Sequence, residues 1–224
     1  MTSTATHILF DLDGTLADTA PDLHHALNDV LAEQGLPPLP LRQVRPAASH
    51  GAIAMLRLAF PAATEEILLP LRNRFIDHYR ANLDRHTVLF PGTLNLLAGL
   101  EARGIIWGIV TNKFTDLTEP LLQTLGLLRR AACVVSGDTT AHAKPHPAPL
   151  LHACELLGCE PADAIYVGDS SRDVEAARRA GMRVVIAGYG YMDGADSAKQ
   201  WAADFIISQP TDLLAWDGLG AVNT

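Results

Sequence analysis

A doubly wound parallel α/β sheet with an inserted all-helical segment is the architecture this sequence predicts, and three observations predict it. From Val88 onward, short apolar runs alternate with helix-period segments, the pattern of parallel strands joined by crossover helices. The run Ile8-Leu9-Phe10 stands apart near the start and breaks off in Asp11, Asp13 and Gly14, as a buried strand does where its chain turns out of the sheet. Between the two, from Ala17 to Thr87, apolar residues recur at helical spacing with no convincing strand. The expected division is an α/β core of residues 1–16 and 88–224 and a helical cap of residues 17–87.

Taken in order, Pro21 stands at the start of the first helical pattern, where its fixed φ suits the opening turn. Leu23, Ala26, Leu27, Val30 and Leu31 supply the apolar face. Gly35 fits the stop, and Pro37, Pro38 and Pro40 forbid continuation. Ser49–Phe60 reads as a second helix and Thr64–Asn82 as a third, with Thr64 at the N-cap and Glu65 and Glu66 favoured by the dipole of the first turn. Pro91 opens a helix that Gly104 closes. Strands are expected at Ile105–Val110, Ala132–Val135, Ala164–Val167, Arg183–Ala187 and Asp204–Ile207. Helices are expected after Thr111-Asn112-Lys113, after Lys144-Pro145-His146-Pro147, and over Ser171–Ala180 before Gly181.

Composition bounds the function classes. A formal net charge of -8 leaves no basic footprint for nucleic acid. An anionic substrate has to be drawn in by a local cation against that field. No apolar run approaches the ~20 residues of a membrane helix, and Met1–Thr6 has neither a basic start nor a long apolar core, so no signal peptide is expected. Cys133, Cys154 and Cys159 are an odd set without metal or disulfide spacing. They fit reduced core thiols and a cytoplasmic protein. A monomer and a homodimer are equally compatible with the chain.

Asp11 and Asp13 carry the first chemical signal. Side chains two apart on a strand share a face, so the two carboxylates point together from the strand end. Buried charge needs a partner, and a divalent cation that prefers hard oxygen ligands is one; a solvated turn after an edge strand is the alternative. In open α/β sheets ligands bind beyond the carboxyl ends of the strands. That rule gathers Asp11 and Asp13, Thr111 and Asn112, and Asp169 along one edge.

Asp11-Leu12-Asp13-Gly14-Thr15, Thr111-Asn112, Lys144-Pro145 and Gly168-Asp169-Ser170-x-x-Asp173 together resemble the four ordered motifs of the haloacid dehalogenase-like phosphatases, from about Ile8 to Leu214. Within that superfamily the chain is most similar to the bacterial phosphoglycolate phosphatases, followed by the N-acetylmuramic acid 6-phosphate phosphatases. The resemblance implies a Rossmann-like core, a helical cap after the first motif, and Mg²⁺-dependent hydrolysis of a small phosphorylated metabolite. Asp11 would attack phosphorus, Asp13 would serve as acid and then base, and Mg²⁺ would sit between the Asp11 carboxylate, the Asp13 carbonyl and Asp169. Gly14, the Thr111 hydroxyl, the Asn112 amide and Lys144 would hold the phosphoryl group. Asp173 would orient Lys144 or a metal-bound water, or else serve only as an acid favoured by its helix dipole. Of the chain's three lysines, Lys113, Lys144 and Lys199, Lys144 precedes Pro145 at a motif position; Lys113 either helps it or, the better reading, is a solvated surface charge.

The cap cations are all arginines, a side chain suited to paired hydrogen bonds with a substrate carboxylate. Arg45 with Ser49 and His50 is the candidate set, since amides at a helix start bind anions; a surface Arg45 and a His50 of no special role is the competing assignment. Both implied substrates carry a carboxylate, so an arginine does not separate them. A cap without lysine argues against a Schiff-base phosphonate hydrolase, and Asp13 against a dehalogenase. A sugar phosphomutase and a phosphate-ligand binding protein without turnover are the remaining alternatives.

Overall fold

The computed structural model describes residues 5–192 and 201–219; the chain start at 1–4 and Lys199 lie outside the described residues. In chain order the elements are β1 (His7–Phe10), β2 (Ala17–Asp18), α1 (Ala20–Glu33), α2 (Leu41–Ala48), α3 (Ala52–Ala59), α4 (Glu65–Ala81), β3 (Val88–Leu89), α5 (Thr93–Ala102), β4 (Ile106–Val110), α6 (Thr115–Thr124), β5 (Val134–Val135), α7 (Ala148–Leu157), β6 (Ala164–Gly168), α8 (Ser171–Ala180), β7 (Arg183–Ala187) and β8 (Phe205–Ile207). Packing divides the chain into two units, Met1–Ala17 with Leu89–Thr224, and Asp18–Val88.

The first unit is built on a six-stranded sheet in the order β5-β4-β1-β6-β7-β8. Every pairing is parallel, so the connections must cross over the faces and bury them. The strands are accordingly apolar on both sides: all of β6 is buried, as is β7 after Arg183. Trp107 of β4 meets Phe10 of β1 edge-on, with ring centroids 6.5 Å apart. The chain leaves β1, later runs outward through β4 and β5, and returns to β6 on the other side of β1. Strand order therefore reverses beside β1, the place where such sheets bind ligands.

The second unit is helical. Along α1, Leu23, Ala26, Leu27, Val30 and Leu31 are buried, and α1 packs on α2 and α4. Leu68, Leu71, Phe75 and Tyr79 give α4 its own buried stripe.

Three details differ from the sequence pattern. The helix expected over Ser49–Phe60 forms as α3, shortened to Ala52–Ala59 behind a turn through Gly51 at φ 81, and a separate helix, α2, precedes it and ends at Ala48. A helix forms over 41–48 despite Pro46, because Val44 and Ala48 lie on one face and are buried together. Thr64 occupies the N-cap position of α4, but its side chain makes no capping bond. Finally, Ala17–Asp18 is a strand, paired with Val88–Leu89; a two-residue ladder is too short to leave a period in the sequence.

Candidate active site

Three strand ends supply the site. Phe10 of β1 is followed by Asp11, Val110 of β4 by Thr111, and Gly168 of β6 by Asp169. The sheet ladder continues one residue past the strands: the Asp11 N–H donates to the Val167 carbonyl at 2.8 Å and the Thr111 N–H to the Val135 carbonyl at 2.9 Å. These bonds fix the direction in which each following side chain leaves the sheet.

Lys144 is the centre of the charge cluster. Its side chain is 2% exposed, and its Nζ lies 3.0 Å from Asp11 Oδ1 and 2.8 Å from Asp173 Oδ1. The same ammonium donates to the Val110 carbonyl at 3.0 Å and to the Tyr166 hydroxyl at 2.6 Å. Burial works to lower the Lys144 pKa, but Asp11 and Asp173 outweigh it and leave it above the ordinary value. Burial likewise pushes Asp173 up, and Lys144 with the Ser170 hydroxyl and N–H overcomes this, holding Asp173 low. Asp11 ends differently. Burial, aided by Asp173 and Asp13, pushes it up to about 6 against the pull of Lys144. One cation serves two carboxylates, and the balance leaves Asp11 short of positive charge.

Asp173 has two tasks. Its Oδ1 takes the Lys144 ammonium, while its Oδ2 accepts from the Ser170 N–H at 3.0 Å and the Ser170 hydroxyl at 2.6 Å. The second set closes a capping box on α8. Helix start and lysine anchor are thus the same residue.

Asp169 is 1% exposed and accepts the Tyr191 N–H on Oδ2 at 2.9 Å. Gly14, at φ 81, passes beside it; a Cβ there would collide with the Asp169 carboxylate. Glycine is thus required for both its backbone angle and its lack of a side chain. Carboxylate oxygens of Asp11, Asp169 and Asp173 lie within 4.8 Å of one another. An all-oxygen, anionic donor set of this kind suits Mg²⁺.

Some expected contacts are arranged otherwise. Lys113 is not a solvated surface charge: its side chain is 5% exposed and its Nζ lies 3.0 Å from Asp13 Oδ1. It stands three residues beyond the end of β4. The Asn112 carboxamide is engaged with the backbone of Lys144. It donates to the Lys144 carbonyl and accepts from the Lys144 N–H, both at 2.9 Å, clamping the lysine's backbone. The Thr111 hydroxyl accepts the Lys113 N–H at 3.2 Å. Tyr166 was not marked by the sequence pattern; its hydroxyl links Lys144 to the Val110 carbonyl at 2.8 Å. The signal was there, since a tyrosine inside the fully buried Ala164–Gly168 run must find its hydroxyl a partner. Tyr189 and Tyr191 follow β7, and the Tyr189 hydroxyl donates to the Thr15 carbonyl at 2.9 Å.

Arg45, Ser49 and His50 belong to the helical unit. Arg45 makes a bidentate pair with Asp18, at 2.9 and 3.0 Å. Ser49 closes α2, and His50 precedes Gly51 in the turn. Among the described residues no helix is long and apolar enough to cross a membrane.

Buried acids and a buried lysine gather at the carboxyl ends of a parallel sheet, a donor set suited to a hard cation and an anionic group. Comparison with known proteins agrees. The family model for haloacid dehalogenase-like hydrolases matches residues 8–187, and the chain belongs to that family. A phosphoglycolate phosphatase of Xanthomonas campestris pv. campestris is 46% identical over 209 residues, 92% of this chain and 93% of its own. An N-acetylmuramic acid 6-phosphate phosphatase of Pseudomonas putida is 40% identical over 207 residues, with 92% and 93% covered. Among solved structures, a predicted phosphoglycolate phosphatase from Haemophilus somnus superimposes with a TM-score of 0.84 at 31% identity, covering 96% of this chain and 99% of that one. The protein is an enzyme of the phosphatase type.

Proposed function

We propose that this enzyme hydrolyses 2-phosphoglycolate to glycolate and phosphate through an aspartyl-phosphate on Asp11. The observation that carries the chemistry is Asp11 Oδ1 at 3.0 Å from the buried Lys144 ammonium, beside Asp169 and Asp173. The substrate rests on relatives at up to 46% identity over nearly the whole chain. A second substrate, N-acetylmuramic acid 6-phosphate, is favoured by relatives only a few per cent less similar. Either product suits a cytoplasmic enzyme of small-metabolite turnover, active as a monomer or homodimer.

The residues divide the work. A carboxylate oxygen of Asp11 attacks phosphorus as the bond to the substrate alkoxide breaks. Asp13 gives its proton to that alkoxide, then takes one from the water that attacks the aspartyl-phosphate. Phosphate leaves and the Asp11 carboxylate is restored. Lys144 offsets charge on Asp11 and on the transferring group, while Asn112 and Asp173 hold Lys144 in place. Thr111 and Gly14 line the phosphoryl position. Lys113, with its Nζ 3.0 Å from Asp13 Oδ1, holds that carboxyl in position. Asp11 and Asp169, with the Asp13 carbonyl, would hold Mg²⁺, and Asp173 would support it from behind. The ion supplies neutralisation of phosphoryl charge. Arg45, with Ser49 and His50, would receive the substrate carboxylate, Arg45 exchanging Asp18 for it.

Phosphate release from a panel of phosphomonoesters with Mg²⁺, including both named substrates, tests the reading. Preference for 2-phosphoglycolate is expected, with turnover abolished by exhaustive chelation and restored by Mg²⁺. Phosphate appearing on a second sugar hydroxyl instead of in solution would mark a mutase, and binding without turnover a binding protein. Asp11→Asn should lower turnover by about 10⁴-fold or more in a protein that folds normally. Wild-type rates from deamidation-free Asp11→Asn protein would remove Asp11 as nucleophile.

A further inference from the structure

We infer that the helical unit carries a separate site for a divalent transition metal, formed by Asp22, His25 and His86. One ligand atom from each of the three side chains lies within 4.8 Å of the other two. Asp22 and His25 are three apart on α1 and so share a face. His86 is brought to them from the other end of the unit by its backbone: its N–H donates to both Asp22 carboxylate oxygens at 3.0 Å. Asp22 Oδ2 also accepts the Thr87 N–H and hydroxyl, each at 2.8 Å. The carboxylate is therefore rigidly held, with Oδ1 the less heavily used oxygen.

The imidazoles are suitably spaced. With metal–nitrogen bonds of about 2.1 Å, two rings on one ion have centres roughly 4.5–5.2 Å apart, depending on the ligand angle. The His25 and His86 ring centroids are 4.7 Å apart and tilted by 53°. Both histidines are exposed while Asp22 is buried, so the rings can adjust around a fixed oxygen and solvent ligands can complete the shell. The neighbouring His24 is engaged elsewhere, its Nε2 lying 2.7 Å from the Leu39 carbonyl and 2.8 Å from Asn28 Nδ2.

Two nitrogens and one oxygen select Zn²⁺, Ni²⁺, Co²⁺ or Cu²⁺ over Mg²⁺, whereas the all-oxygen cluster at Asp11 has the opposite preference. A bound ion would tie the first turn of α1 to the segment that closes the unit, adding a cross-link to the Asp22 anchor. Asp22 by itself explains only that anchor; it does not explain two histidines at ligand spacing around it.

The probe is Ni²⁺, titrated calorimetrically into the full chain in a large excess of Mg²⁺. One equivalent is expected to bind. The His25→Ala/His86→Ala double variant should lose it, or bind at least about tenfold more weakly. His24→Ala should bind as the wild type does. Phosphate release with Mg²⁺ alone should be unchanged in both variants. The single variant His25→Gln, at an exposed position, should also lose the Ni²⁺ equivalent and covers any folding defect of the double variant. Absence of Ni²⁺ binding to the wild type, or binding that survives in His25→Gln and the double variant alike, would overturn the site.

Discussion

The two units hold ion pairs of nearly the same length in very different surroundings. In the sheet unit Lys144 lies 2.8 Å from Asp173 and 3.0 Å from Asp11, with side chains only 2%, 1% and 13% exposed. In the helical unit Arg45 lies 2.9 Å from Asp18, with side chains 34% and 19% exposed, and Arg74 lies 2.5 Å from Glu33 with both largely in water. Distance therefore does not rank these contacts. Solvent does, because water screens the exposed pairs and cannot reach the buried ones. A buried charge costs stability unless its partners remain, so the Lys144 cluster is held together by the penalty for breaking it. Burial also has a chemical consequence: with its charge only partly offset, Asp11 is pushed up to about 6, so a cation bound there gains more than it would beside a solvated acid.

Breaking the buried side should produce the largest effect. Lys144→Met leaves Asp11, Asp169 and Asp173 facing one another without a cation. A loss of about 3–5 kcal/mol in urea unfolding is expected, together with a drop of about 10²–10³-fold in turnover. A stability change below about 1 kcal/mol would mean that the cluster relaxes as easily as a surface pair.

Arg45→Ala probes the intermediate case. Its pair is partly exposed, so the stability cost should stay under about 1 kcal/mol. If Arg45 receives the substrate carboxylate, KM should rise about tenfold for carboxylate-bearing substrates, equivalent to about 1.4 kcal/mol, and little for an aryl phosphate. Equal changes for both substrates would leave Arg45 as a partner of Asp18 and nothing more.

The smallest effect belongs to Arg74→Ala. Arg74 and His78 hold Glu33 down at about 2, below its ordinary value. A depressed acid contributes stability that is full above about 4.5 and is lost as pH falls toward about 2. The variant should therefore be slightly less stable than the wild type at neutral pH, with the difference shrinking through that acid window. Thermal unfolding at several pH values measures it; a gap that widens in acid would reverse the assignment.

The two units also differ in how much of them the sequence discloses. The α8 helix and β7 match their expected ranges to the residue, because Ser170, Gly181 and an unbroken apolar run mark their ends. The helical unit is less legible. Proline at 46 hides α2, whose reason to exist is the burial of Val44 and Ala48. The site follows the same rule. Asp11, Lys144, Asp169 and Asp173 stand at motif spacings and come together. Lys113 looks like any surface lysine in a linear string, and the Asn112 carboxamide looks free to bind substrate; the structure uses one on Asp13 and the other on the Lys144 backbone. Nothing local in the sequence distinguishes those outcomes, since each partner is far away in the chain or turned by a bend.

By itself, then, the order of residues determined the strand–helix alternation, the edge of the sheet at which acids collect, and the family to which the chain belongs. Those features arise from hydrophobic period and from side chains next to strand ends, which are local properties. Only the tertiary structure decided which partner each charge takes: Lys144 shared between Asp11 and Asp173, Lys113 with Asp13, Arg45 with Asp18, and His86 beside Asp22 and His25. A charge is satisfied by whatever the fold brings within about 3 Å of it, and that is settled by packing between distant segments, not by neighbours along the chain.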